Sequence, residues 1–222
     1  MRWSTPEPQC GHHGCWDGWS EPLTTWANGV TAVRTVLVLA LVGAAVLTGD
    51  SRLLLVALPT YLLLDMVDGI VARWLRQETR GGALFDVLAD RASSMAIWVT
   101  WGVMHPDVIA TILVYALEFV VVDGLLSTLW LAWPLLSCNH VARVDPVVYR
   151  LNWSTPAKAA NSGCLLLLVL IWPQPVLGVV AVGGILAVKA YSLVRLHGQL
   201  PGPGPGCAVT RVPAVKTLGP AS

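Results

Sequence analysis

LLLDMVDGIVARW (residues 62–74) and GGALFDVLAD (residues 81–90) decide how this chain is read. Each is an apolar run interrupted by two aspartates, Asp65 and Asp68 in the first, Asp86 and Asp90 in the second. A charge at mid-bilayer costs about 2.5–3.5 kcal/mol even on lenient insertion scales, so acids in such segments pair, bind cations or line a wet cavity. Four carboxylates so close together point to one shared task. A divalent metal site is the economical explanation.

The rest of the chain supports the membrane setting. It has 222 residues, 55% of them hydrophobic and 12% charged, with a mean hydropathy of +0.64. That composition is too apolar for an ordinary soluble domain. The formal net charge of +1 says nothing about nucleic acid, but no long basic run exists to suggest a nucleic-acid groove. The five cysteines, Cys10, Cys15, Cys138, Cys164 and Cys207, are odd in number and scattered, which predicts thiols and not a disulfide framework. The first apolar run starts near Val30, behind a polar stretch with no basic leader, and is expected to remain as an anchor instead of being cleaved.

A helix needs roughly 20 apolar residues to cross about 30 Å of hydrocarbon. Six runs approach that length, at about 29–48, 53–74, 83–104, 108–131, 157–172 and 175–195, the fifth being short. The expected fold is an all-α polytopic membrane protein, a bundle of six transmembrane helices. Lys and Arg in short connections favour the cytoplasm. With both termini inside, Arg73, Arg76, Arg80, Arg143, Arg150, Lys158, Arg195, Arg211 and Lys216 lie on the cytoplasmic side, and Arg52 lies outside. Both aspartate pairs then sit at the cytoplasmic ends of helices 2 and 3. Trp98, Trp101, Trp130, Trp133 and Trp172 read as interfacial anchors.

On helices, residues three and four apart share a face, with Cβ atoms roughly 5–6 Å apart. Two helices joined by a short loop can therefore aim all four carboxylates at one point. Hard oxygen ligands suit Mg²⁺ or Mn²⁺, and Mg²⁺ is commonly shared between carboxylates and substrate phosphates. Gly69 leaves room beside Asp68 for a ligand to approach the backbone. Arg73, one turn on, offers a guanidinium fork to a phosphate. Gly82 lies near the start of helix 3, where free N–H groups favour an anion.

Asp65-x2-Asp68-Gly69-x2-Ala72-Arg73-x8-Gly82-x3-Asp86-x3-Asp90 resembles the CDP-alcohol phosphotransferase signature at every fixed position. The resemblance covers about residues 25–197. It implies metal-dependent transfer of a phosphatidyl-type group from a CDP-alcohol donor, usually CDP-diacylglycerol, to the hydroxyl of a small alcohol acceptor, with release of CMP. It also implies a homodimer in the lipid bilayer. Carried over by position, Asp65, Asp68 and Asp86 become metal ligands, while Asp90 contributes to the metal and serves as base. Gly69 and Arg73 are expected to contact the CDP moiety, helped by the loop around Thr79. The start of helix 1, Asn28-Gly29-Val30-Thr31-Ala32-Val33-Arg34, is similar to the Asn-x-x-Thr-x-x-Arg opening of the family, which turns Asn28 and Thr31 toward the nucleotide; Asn28 as a plain helix cap is the competing reading. The division that follows is an N-terminal cytoplasmic segment (1–25), a membrane domain (26–197) and a disordered tail (198–222).

Lys158, before helix 5, resembles a basic residue found there in many members, and Arg143 and Arg150 share its loop. Such cations suit a phosphorylated acceptor, glycerol 3-phosphate first, although the charge bias of inner loops explains them equally well. Arg91 and Lys189 lie in hydrophobic segments where a free charge is costly, which marks them for a specific task, with pairing to Asp123 or Glu118 as the alternative. Those two acids, five apart, are not expected to share a helix face. Cys10, His12, His13 and Cys15 lack the spacing of a structural zinc site. The rival functions are a divalent-cation carrier and a non-catalytic membrane scaffold. The acids cluster at one membrane face instead of lining a path across it, and the signature is intact, so phosphatidyl transfer is favoured over both.

Overall fold

The computed structural model describes residues 24–75, 77–171 and 173–200. The Cys10–Cys15 cluster, the Pro-Gly tail, Arg76, Trp172, Cys207, Arg211, Lys216 and the side chain of Cys164 lie outside the described residues. Everything regular within them is helical. Helix α1 (Trp26–Thr48) starts at Thr25, whose hydroxyl accepts the Asn28 N–H. It stops at Gly49, which takes φ 69° and returns its N–H to Ala45, a left-handed cap that glycine adopts without strain. The turn is short because Asp50 Oδ1 accepts the Arg52 N–H at 2.9 Å, and α2 (Arg52–Trp74) runs straight back. Thr79 then caps α3 (Arg80–Met104) by accepting the Gly82 N–H.

The long span α4 (Pro106–Ala132) is not one uniform helix. Its middle, Leu117–Val122, is wound as a π-helix between α-helical stretches Ile109–Ala116 and Asp123–Thr128. A 3-10 turn (Cys138–Arg143) and the short α5 (Pro146–Asn152) follow, then α6 (Thr155–Leu166), which continues as a π turn through Ile171, and α7 (Pro175–His197). Helix α1 lies along α2 and α3, while α4 packs on α7.

Among the described residues, α1, α2, α4 and α7 are long and apolar enough to cross a membrane. The expected count was six. Helix α3 has the length at 25 residues but carries Asp86, Asp90 and Arg91, and α6 is only 12 α-helical residues before its π turn. The buried stripe on α1, Ala27, Thr31, Arg34, Val38, Val42 and Ala45, follows helical spacing toward α2 and α3. The opposite face is apolar too, with Val33, Val36 and Leu47 exposed, as expected of a helix with hydrocarbon on its outside.

Three of the supposed interfacial tryptophans are core residues. Trp98 packs with the α1–α2–α3 core, and Trp130 and Trp133 fill a second core with Leu126, Leu135, Val148 and Leu196. Trp130 is fully buried under the Arg80 guanidinium, 5.3 Å from its ring. Indole is large enough to gain more from close packing between helix ends than from the headgroup layer. Among the described residues Cys138 is a free thiol, and burial pushes its pKa up to about 12.

One end of the bundle is tied together by polar contacts. Asp145 caps α5 by accepting the Val147 and Val148 N–H groups, and its other oxygen accepts from Arg195 Nε at 2.5 Å and Gln199 at 2.6 Å. Burial works against this charge, but the four hydrogen bonds outweigh it and hold the carboxyl below the usual carboxylate range. A lowered folded-state pKa means the stabilisation is complete above the unfolded value near 3.9 and is lost as pH falls through the folded value. Asp145→Ala is expected to cost about 2 kcal/mol at pH 7, the upper range for a lost cap. The deficit is expected to shrink below about pH 4, measured by thermal unfolding in detergent across pH.

Candidate active site

The tied end also holds the four aspartates. Asp65 and Asp68 leave the last turns of α2, Asp86 and Asp90 the first turns of α3, and Arg34 of α1 stands between them. Its guanidinium has no exposed surface. One terminal nitrogen pairs with Asp65 and lies 3.4 Å from Asp68, and the other donates to Asp86 at 3.0 Å and Asp90 at 2.8 Å. Thr31, one turn before Arg34, donates to Asp68 Oδ2 at 3.0 Å. The Tyr61 ring stands 5.6 Å from the guanidinium carbon. All four carboxylates thus converge, as helical spacing allows.

Asp65, Asp68 and Asp86 each offer an oxygen within 4.8 Å of the other two. An ion bound at about 2.1 Å needs opposite oxygens about 4.2 Å apart, which small side-chain rotations reach. The donor set is all carboxylate oxygen, the chemistry of Mg²⁺ and Mn²⁺ sites. Four carboxylates against one guanidinium also leave negative charge for a cation to neutralise. The residues therefore fit a divalent ion. Asp90 stands beside this trio but outside it.

Next to Asp68 and Asp86 opens a cavity lined by Asn28, Thr31, Gly69, Arg73, Thr79 and Gly82. Six of the expected binding positions therefore share one wall. Arg73 folds back over Gly69, so that a Cβ there would lie 3.3 Å from Arg73 Nη1 and the guanidinium would have to give slightly. Asn28 is not the cap of α1; Thr25 holds that role, and Asn28 faces the cavity one turn inside. Thr79 has a structural duty as the α3 cap as well as a place on the wall. Lys158 does not join them. It is exposed on α6 and lines no part of this cavity.

Gly82 is the tightest point of the wall. A Cβ there would stand 2.6 Å from Asn28 Oδ1 and 2.7 Å from Thr79 Oγ1. In an open helix, Gly→Ala gains roughly 1 kcal/mol of propensity. Here overpacking is worth about 1–3 kcal/mol in the opposite direction. Gly82→Ala is expected to lower stability, read as a reduced unfolding midpoint in detergent; an increase would mean that Asn28 moves aside freely.

Sequence reasoning missed three contributors. Arg34 was visible only as the last letter of the helix 1 pattern, with nothing to say that it reaches all four acids. Ser137 and Asn139 line the cavity from the connection after α4, far away in sequence. The Ser137 hydroxyl is buried and finds no partner among the described residues.

A second charged cluster lies on the other side of α3. Lys189 of α7 pairs with Glu118 at 2.6 Å and with Asp123 at 2.9 Å, and Arg91 pairs with Asp123 at 2.5 Å. Pairing with these acids, the alternative reading of Arg91 and Lys189, is therefore what the structure shows. The expectation that Glu118 and Asp123 diverge is overturned by the π turn, because i→i+5 winding brings residues five apart into line. One ammonium can then reach both.

The CDP-alcohol phosphatidyltransferase family model matches residues 24–193. A relative, CDP-diacylglycerol–inositol 3-phosphatidyltransferase of Homo sapiens, is 48% identical over 44 residues, which is 20% of this chain and 21% of that protein. The chain thus spans only about a fifth of that curated relative. No solved structure matches it.

Proposed function

The chain belongs to the CDP-alcohol phosphatidyltransferase family, and from that premise we propose that it transfers a phosphatidyl group from CDP-diacylglycerol to the hydroxyl of a small alcohol, releasing CMP, in phospholipid synthesis. The observation that carries this reading is the convergence of Asp65, Asp68, Asp86 and Asp90 beside a cavity walled by Asn28, Thr31, Gly69, Arg73, Thr79 and Gly82.

Asp65, Asp68 and Asp86 are the residues to hold Mg²⁺ or Mn²⁺, with Asp90 at the edge of the set. When bound, the ion supplies charge neutralisation at the diphosphate, which lowers the cost of expelling CMP. Arg73 grips a donor phosphate with its fork, and Asn28, Thr31 and Thr79 offer hydrogen bonds to the nucleotide. Gly69 and Gly82 keep the wall clear for it. The Asp90 carboxylate takes the proton of the acceptor hydroxyl as that oxygen bonds to the phosphorus nearer the lipid and the bond to the CMP oxygen breaks.

In this reading the protein is a six-span homodimer with both termini and the site on the cytoplasmic side. The acceptor is glycerol 3-phosphate, for which the exposed Arg150 and Lys158 are available cations. A neutral polyol is the second reading, favoured by the name of the human relative. The test is CMP release from CDP-diacylglycerol with Mg²⁺ or Mn²⁺ by the purified protein, against glycerol 3-phosphate, inositol phosphate, inositol and serine in turn. Release with glycerol 3-phosphate alone supports the first acceptor and release with inositol alone the second. Metal flux into vesicles without CMP from any acceptor would replace the enzyme with a carrier.

A further inference from the structure

Arg34 has no part in the transfer just described, yet no side chain in the site is better placed. It is fully buried and touches all four carboxylates through its two terminal nitrogens, while its Nε finds no partner among the described residues. Arginine cannot shed its proton, so the charge is permanent. Without it, four carboxylates from two helices, Asp68 buried and the others partly exposed, would face one another with no counter-charge between them, and like charges at that spacing repel.

The geometry points to Arg34 as the resident counter-cation of the site: it holds the four carboxylates together before a divalent ion arrives and competes with that ion for the same oxygens. The reasons lie in the contacts themselves. The three acids able to share an ion, Asp65, Asp68 and Asp86, are all within 3.4 Å of Arg34. An ion entering among them meets a fixed positive charge and must take oxygens that already accept from the guanidinium. The arginine therefore stabilises the empty site and weakens the filled one. A planar fork suits this task, because one residue can satisfy acids on both helices at once. Thr31 adds a neutral tether on Asp68 that stays in place when the guanidinium yields.

The proposal rests on the four aspartates being a cation site, and its test separates the two ideas. Mn²⁺ affinity of the full chain in detergent is measured by titration, and the unfolding midpoint is measured in chelator and in saturating Mn²⁺. The native protein is expected to bind Mn²⁺ and to melt cooperatively in chelator. Arg34→Met is expected to bind Mn²⁺ at least tenfold more tightly, to melt lower in chelator and to gain more from the ion than the native protein does. Arg34→Lys keeps the charge but loses the fork and is expected to fall between the two. Should Arg34→Met not fold in chelator, recovery of the fold with Mn²⁺ supports the proposal. Should it fold in neither condition, tighter Mn²⁺ binding by Arg34→Lys supports it, and equal or weaker binding overturns it. Equal or weaker binding by a folded Arg34→Met overturns it directly and leaves the metal site standing. Absence of Mn²⁺ binding by the native chain overturns the site and this proposal together.

Discussion

Asp90→Asn is expected to lower CMP release by about 10²–10⁴-fold, the usual contribution of a positioned general base, while the protein still binds Mn²⁺. The split follows from the geometry. Asp90 accepts from Arg34 at 2.8 Å and so belongs to the cluster, but the oxygens close enough to share one ion come from Asp65, Asp68 and Asp86. Asparagine preserves the shape and a hydrogen-bond acceptor for Arg34 but loses the charge and the ability to take a proton. Asp86→Asn is the contrasting variant, expected to lose ion binding and turnover together. CMP release measured beside Mn²⁺ titration distinguishes them; unchanged turnover in Asp90→Asn would remove the assigned base.

Lys189→Met carries the largest expected effect on stability. Glu118 is fully buried, and its ion pair is with Lys189, which also holds Asp123. Breaking a buried pair by removing one partner typically costs about 3–5 kcal/mol, because the charge left behind has neither water nor a counter-ion. Replacing both sides is often close to neutral. Lys189→Met combined with Glu118→Gln is therefore expected to recover most of the loss, with Arg91 still holding Asp123 at 2.5 Å. Unfolding of the native, single and double variants in detergent closes the cycle. A single variant as stable as the native chain would show that the cluster is open to water.

The acidic cluster was legible because its geometry is local. Spacings of three and four on adjacent helices leave few arrangements in which the carboxylates do not meet, and the same holds for Gly69 and Arg73, one turn apart. Where an inference depended on a partner far away in sequence, it was incomplete or wrong. Arg34 reaches Asp90 across 56 positions. Trp130 and Trp133 looked like interfacial anchors until the helix ends that cover them were seen. Glu118 and Asp123 diverge on an α-helix and converge here only because Leu117–Val122 winds as a π-helix, a change that nothing in LEFVVV announces.

By itself, then, the order of residues determined a membrane-embedded, helical chain with its acids gathered between α2 and α3, since apolar run length and helical periodicity act within single segments. The tertiary structure decided which cation answers those acids, which tryptophans are core, and that Lys158 lines no part of the cavity. Those outcomes depend on how helices pack against one another, a balance of burial and charge summed over many distant contacts that no single stretch of the chain encodes.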